Sequence, residues 1–392
     1  MRRPARPVPA AVLVAVLLAA APATSAQWYA APRVAQSLGY DDNVRLDSDG
    51  GEAAMTSTSS LGLTLGGRSP RLDLRLDARL DYNAYAGGDQ EDTHVETLAL
   101  AASPRLTART RLGLNAGFVR DTSIDDTLDD TGRERRTSDP RYTLSATPFL
   151  GHQLTPLDSL DAALSWRWRD DTGPGDDDFT TLSGNLGWQR TVTRRTRLGA
   201  NLYLSHFRSD EQRSSTASPR AFVGFRETER VDLDLSLGPS LSRTETREDN
   251  AGTGEGARTD LGVTVDGNLR YRLTPVTSLT LTASHYIEPA GSDGDVSQTT
   301  RFSTGLGHRL SRRLSLNASL LAQRQQRVVS DAGDNRDYLQ ASAGLAWVLT
   351  PQLDLGLSYR LRHEHSDEDG TATSNAVFVT LAFRFQERRA SW

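Results

Sequence analysis

The stretch LDLRLDARLDYNAY, Leu72 to Tyr85, sorts its residues by parity. Leu72, Leu74, Leu76, Ala78, Leu80, Tyr82 and Ala84 fall on one row; Asp73, Arg75, Asp77, Arg79, Asp81 and Asn83 fall on the other. Side chains of an extended strand alternate between its two faces, so this segment is a strand with one apolar face and one charged face. The same period of two recurs along the chain. Leu112, Leu114, Ala116 and Phe118 repeat it, as do Leu160, Ala162, Leu164, Trp166 and Trp168. So do Leu198, Ala200, Leu202 and Leu204, then Leu353, Leu355, Leu357, Tyr359 and Leu361, then Val377, Val379, Leu381, Phe383 and Phe385. Period two argues for strands throughout.

A longer repeat is laid over the alternation. GRSPRLDL (67–74), RLTARTRL (105–112), QLTPLDSL (153–160), TVTRRTRL (191–198), RETERVDL (226–233), RLTPVTSL (272–279), RLSRRLSL (309–316) and VLTPQLDL (348–355) each set Ser, Thr or Pro among polar residues before a new alternating run. Ser, Thr and Pro favour tight turns. The units return every ~40 residues, room for two strands, a short turn and a longer loop. Midway between them lie segments rich in Asp, Glu, Gly, Ser and Thr: 41–51, 87–92, 121–139, 170–178, 209–218, 245–257, 288–297, 330–337 and 364–374. Eight short turns and nine long loops predict eighteen strands of roughly 10 residues, or sixteen if one hairpin is miscounted. The first strand is expected near 32–40 and the last near 375–386.

The first 26 residues differ from the rest. Arg2, Arg3 and Arg6 precede an unbroken apolar run, Ala10 to Ala21, and small residues follow up to Ala26. This is the layout of a secretory signal peptide, with a core too short to cross a bilayer. The expected organisation is a signal peptide at 1–26 and one domain at 27–392. Alternation begins almost at the expected cleavage point, which leaves no room there for a plug or passenger domain. The chain has no cysteine, so neither a disulfide framework nor thiolate chemistry is expected. Its net charge of -5 becomes more negative without the three N-terminal arginines, which speaks against a nucleic-acid partner.

A soluble sandwich also alternates, but hides its apolar face against a second sheet. Here one pattern runs through the whole chain, with short turns on one side and long loops on the other, as in membrane barrels. In lipid every backbone group must pair, and a closed sheet satisfies that. The expected fold is all-β: a transmembrane antiparallel up-and-down β-barrel of about 18 strands, wide enough for water inside. Trp188 and Trp347 precede short turns, whereas Trp166 and Trp168 lie at a loop end; all four share the apolar parity and predict two interfacial girdles. Both termini fall on the short-turn side, expected to be periplasmic.

Three stretches carry a family resemblance. They are PRVAQSLGYDDNVRLDSDG near the start, FVRDTSIDDTLDDTGRERRTSDP followed by the QLTPLDSL turn, and LAFRFQ at the end. With them the chain resembles the beta-barrel porin type 2 family of bacterial outer-membrane proteins. The resemblance implies an outer-membrane barrel, with outer-membrane lipid, lipopolysaccharide and the barrel-assembly machinery as partners. It also implies a link to exopolysaccharide or secretion systems. The two functions it leaves open are a porin-like channel for small solutes or an anionic saccharide, and a non-channel component of surface-polymer export.

The polar parity carries the candidate site residues. The pore-lining candidates are Asp73, Arg75, Asp77, Arg79, Asp81, Arg109, Arg111, Arg167, Arg169, Arg270, Arg272, Arg360, Arg362 and Arg384. Arginines two residues apart share a strand face and could face Asp161, Asp232, Asp234, Asp266 and Asp354. Arginine stays charged and engages carboxylate or sulfate with two parallel hydrogen bonds. Such a row either selects anionic solutes or forms a self-neutralised wet wall. No cofactor, metal site or catalytic constellation is expected. His363 and His365 lack a third ligand, the acidic loops lack the order of a calcium loop, and Ser205, His206 and Asp210 are neighbours only in sequence.

Overall fold

The structure, a computed structural model, describes residues 27–391 apart from 88–89, 123–138, 173–177, 210–211, 247–255, 291–294, 328–334 and 368–369. The expected signal peptide, Asp210, Trp392 and the acidic pairs at 125–126 and 129–130 lie outside the described residues.

The strands are β1 (Gln27–Asp41), β2 (Ala54–Arg68), β3 (Leu72–Ala86), β4 (Thr93–Pro104), β5 (Thr110–Thr122) and β6 (Pro140–Gln153). Next come β7 (Asp158–Asp171), β8 (Phe179–Thr191), β9 (Thr196–Arg208), β10 (Gln212–Glu227), β11 (Val231–Thr246) and β12 (Gly256–Thr274). Then follow β13 (Thr277–Ala290), β14 (Asp295–Arg309), β15 (Leu314–Arg327), β16 (Asn335–Thr350), β17 (Leu353–Ser366) and β18 (Gly370–Arg384). A short β19 (Arg388–Ser391) ends the chain. Each strand pairs antiparallel with the next, and β1 pairs with both β2 and β18, which closes an 18-stranded barrel. β19 continues β18 after a break at Phe385–Glu387 and pairs with the start of β1. There is no helix among the described residues.

All eight predicted short turns are present, with a common local cause. Each holds a Ser or Thr whose hydroxyl accepts a hydrogen bond from a backbone N–H two or three residues on. Ser69 accepts from Leu72 (3.0 Å), Thr107 from Thr110 (3.0 Å) and Thr155 from Asp158 (2.9 Å). Thr193 accepts from Thr196 (2.9 Å) and Thr228 from Arg230 (3.3 Å). Thr274 accepts from Val276 (3.3 Å), Ser311 from Leu314 (3.0 Å) and Thr350 from Leu353 (3.1 Å). The hydroxyl replaces a ladder partner where the chain reverses.

The nine longer connections fall where expected, and seven of them are shorter than the acidic segments suggest. β10 begins at Gln212 inside 209–218, and β17 and β18 leave only three residues between Ser366 and Gly370. β1 starts at Gln27, five residues before the expected boundary, and β18 starts at Gly370. The strands of the barrel run 12 to 19 residues, longer than expected. A 15-residue strand is about 50 Å long, so even tilted it overshoots an apolar band of ~25 Å. Polar residues therefore continue the pairing beyond lipid, and composition alone reads them as loop. The outward-facing pair Arg324–Asp337 marks such an extension.

Burial is inverted relative to a soluble protein. The exposed large side chains are the outward apolar rows, such as Leu61, Leu63, Leu65, Leu80, Leu202, Leu204, Val377 and Val379. The buried residues are mostly polar, among them Asp41, Arg169, Ser242, Thr264, Thr299, Arg362 and Glu364. A water-soluble fold buries the opposite set. Trp188 and Trp347 are exposed on the outward row near the short turns, and half-buried Trp166 and Trp168 share that row toward the loops.

Candidate functional site: the barrel interior

β3 sets the pattern of the inner wall. Its odd residues face inward, and each arginine is clamped by the next acid. Arg75 donates to Asp77 (2.7 Å), Arg79 donates to Asp81 (2.8 Å), and Thr64 and Ser60 of β2 complete those carboxylates. Arg384 pairs with Asp354 (2.6 Å), and Arg272 reaches Glu229 (3.5 Å). Asp232, Asp234 and Asp266 are held by Arg226, Arg197 and Arg220, none of them among the predicted set. Arg109 stands in the short turn before β5 rather than on a strand.

Solvent exposure divides these ion pairs by depth. Toward the short turns they are wet: Arg75 and Asp77 have side chains 58% and 39% exposed. Toward the long loops the driest pairs are found: Arg169–Asp171 is 2% and 5% exposed and Arg141–Asp121 7% and 12%, while Arg258 beside Asp260 is 46% exposed. Pairs in water contribute about 0–1 kcal/mol, whereas enclosed ones must be fully matched. The interior is thus open at the turn end and filled at the loop end.

Part of the filling is the β1–β2 loop, which turns inward. Asp41, at the end of β1, accepts hydrogen bonds from Arg360 (3.2 Å), Arg362 (3.1 Å) and Ser374 (2.7 Å). The Arg362 guanidinium also lies 3.0 Å from the carbonyl oxygens of Asn43 and Val44. Asn43 ties the loop to itself through Asp47 and to the wall through the Thr373 carbonyl. Leu46 is fully buried against Tyr338 and Ala372, inward-facing residues of β16 and β18, with Leu321 beside them. It adopts φ 54°, a conformation disfavoured for a branched side chain and retained here by enclosure. Arg360 and Arg362 thus hold this loop against the inner wall. Asp41 falls in the acidic segment 41–51 as a loop residue, not as a pore-lining candidate; two apolar residues inside that segment, Val44 and Leu46, are the sequence signal of its inward turn.

Inward arginines on the strands with no ion pair or side-chain hydrogen bond among the described residues are Arg33, Arg111, Arg270, Arg301 and Arg309. Arg33 and Arg301 lie near mid-strand, and Arg111 and Arg270 near the short turns. The remaining polar candidates do not assemble into a reactive centre. Ser205 faces inward and His206 outward, where its Nδ1 meets Ser215 (3.0 Å). His363 and His365 meet Thr373 and Thr371 on the outer face.

The barrel overlaps with solved outer-membrane structures. The ferric-catecholate import receptor Fiu of E. coli K12 aligns with a TM-score of 0.50 at 11% identity, over 91% of this chain and 81% of that one. OccK2 (OpdF) of Pseudomonas aeruginosa aligns with a TM-score of 0.48 at 13% identity, over 91% of this chain and 98% of that one. At these identities the likeness is one of fold. No curated protein matches the sequence significantly. Residues 258–387, from the third residue of β12 to the break after β18, match the family model described as "Putative beta-barrel porin 2".

Proposed function

We propose that the chain is a bacterial outer-membrane channel for passive diffusion, with a preference for small anionic solutes such as acidic saccharides. The observation that carries this reading is that, among the described residues, inward arginines outside any ion pair, Arg33, Arg111, Arg270, Arg301 and Arg309, outnumber inward carboxylates outside one, such as Asp161. Matched pairs cancel at a distance, so unpaired guanidiniums set the sign of the field that a passing ion meets. Removal of residues 1–26 would make Gln27, the first residue of β1, the new N-terminus. Both termini then lie at the short-turn end, which we assign to the periplasm. Lipopolysaccharide contacts fall to the outward polar rows at the loop end.

A second reading is favoured by the inward β1–β2 loop: a barrel closed at rest that serves as a structural component of surface-polymer export. Swelling of proteoliposomes in isotonic solute separates the two. The channel reading predicts faster swelling with glucuronate than with glucose, which is similar in size. No swelling with either solute, in vesicles shown to hold folded barrel, contradicts it.

A further inference from the structure

A cavity of about 390 Å³ opens on the inner wall formed by β7 to β13, away from the β1–β2 loop. Small-ligand clefts have volumes of ~300–1,000 Å³. Its walls differ in chemistry. Phe179 and Phe207 pack with ring centroids 5.4 Å apart, and Tyr203 lies on the same face of β9 beyond Ser205. Arg220, stacked on Tyr203, together with Arg167 and Asp266 supplies the cavity's charged groups. Serine and threonine hydroxyls from five strands line the space between.

Arg220 is fixed in place. Its guanidinium sits over the Tyr203 ring at 5.3 Å and donates to Asp266, which also accepts from Ser236 (3.4 Å). Its Nε is buried and has no hydrogen-bond partner. A buried donor without an acceptor is costly, so a ligand oxygen placed there satisfies an existing demand. The cavity lies where β12 and β13 cease to pair: their ladder ends at Val265–His285, and Thr264 and Ile287 beyond it line the space.

We propose that this cavity is a binding site for one acidic sugar residue, a pyranose bearing a carboxylate. The claim rests on the channel reading and names its substrate class and place of capture. Arginine matches a carboxylate with two donors. Hydroxyl side chains donate and accept, as sugar hydroxyls do. Tyr203, half-buried beneath Arg220, gives the pyranose C–H groups an apolar border. Large aromatics on the otherwise polar row of β9, Tyr203 and Phe207, are the sequence signal of the site.

The test is the block of single-channel current by D-glucuronate in planar bilayers, with D-glucose and benzoate as comparison solutes. Glucuronate is expected to interrupt the wild-type current, and glucose and benzoate to do so far less. Arg167→Gln and Arg220→Gln should each weaken the block about tenfold, the loss of a charge-assisted contact. Tyr203→Ala should weaken it as well. Arg213→Gln, on the outward face of β10, should leave it unchanged. Equal block by benzoate, or equal block in the Arg167 and Arg220 variants, overturns the assignment. A wild-type channel that conducts but ignores glucuronate overturns the site and leaves the channel reading standing. A barrel that never conducts overturns the channel reading instead. Calorimetric titration of detergent-solubilised barrel with glucuronate then decides the site: binding lost in Arg220→Gln supports it, and no wild-type binding rejects it.

Discussion

The carboxylate of Asp41 and the guanidinium of Arg362 meet at 3.1 Å although 321 residues separate them. The contact joins the end of β1 to β17 across β18, where the barrel closes, and both side chains are 3% exposed. Arg362→Ala leaves a buried carboxylate with less compensation, which costs about 3–5 kcal/mol for a dry pair. The expected result is a clearly lower urea midpoint of unfolding in micelles. Arg384→Ala, which breaks a half-exposed pair with Asp354, should change stability by no more than ~1 kcal/mol. Equal effects of the two would contradict the contrast between dry and wet ends.

Leu46 tests whether the inward loop narrows the lumen. Replacing it with Asp puts a carboxylate into the apolar contact with Tyr338 and Ala372, a placement that burial strongly opposes. The loop should leave the interior, and single-channel conductance should rise while the folded barrel keeps its gel mobility shift on boiling. Unchanged conductance in a folded variant would place the narrowest point elsewhere.

The unpaired arginines test selectivity. Changing Arg33, Arg111, Arg270 and Arg301 together to Gln should shift the reversal potential toward cations. Changing Arg197, already held by Asp234 at 3.0 Å, tests the local field of a matched pair instead. Its loss frees two neighbouring acids, Asp232 and Asp234, and should shift selectivity in the same direction from a different depth. A fourfold Gln variant with wild-type selectivity would support a wall that is neutral in function.

Asp92 offers a pH test at the β3–β4 loop. The Tyr82 hydroxyl donates to its carboxylate at 2.6 Å and the Tyr85 N–H at 3.1 Å. These bonds hold Asp92 below the ordinary value of 3.8, with the Tyr82 hydroxyl as the larger cause. A carboxylate depressed in the folded state stabilises it above the ordinary value, and that contribution fades as pH falls through the depressed value. Tyr82→Phe should therefore raise the Asp92 midpoint in a carbon-13 carboxyl titration. It should also speed exchange of the Tyr85 amide. An unmoved midpoint would show that the hydroxyl does not hold the carboxylate.

The barrel was legible because two rules act over short distances. Period two fixes the faces of each strand, and a Ser or Thr at the head of each turn fixes where the chain reverses, as Thr107 and Thr155 show. Strand ends were less legible. Beyond the apolar band the residues need only pair, so β10 continues through QRSSTAS with no apolar row of large side chains. Partners on the inner wall were less legible still. Asp266 could be read as an inward acid, but its capture by Arg220 depends on register across β11, and Asp41 meets Arg362 only because the ends of the sheet join. The inward loop depended on two apolar residues, Val44 and Leu46, whose destination is set by the far wall.

The reversal potential of the purified barrel in planar bilayers, under a tenfold potassium chloride gradient, addresses the central claim most directly. An arginine-rich interior open to water predicts discrete channel events and a potential displaced toward the chloride equilibrium value. An absence of events from folded protein, or a potential displaced toward potassium, would contradict it.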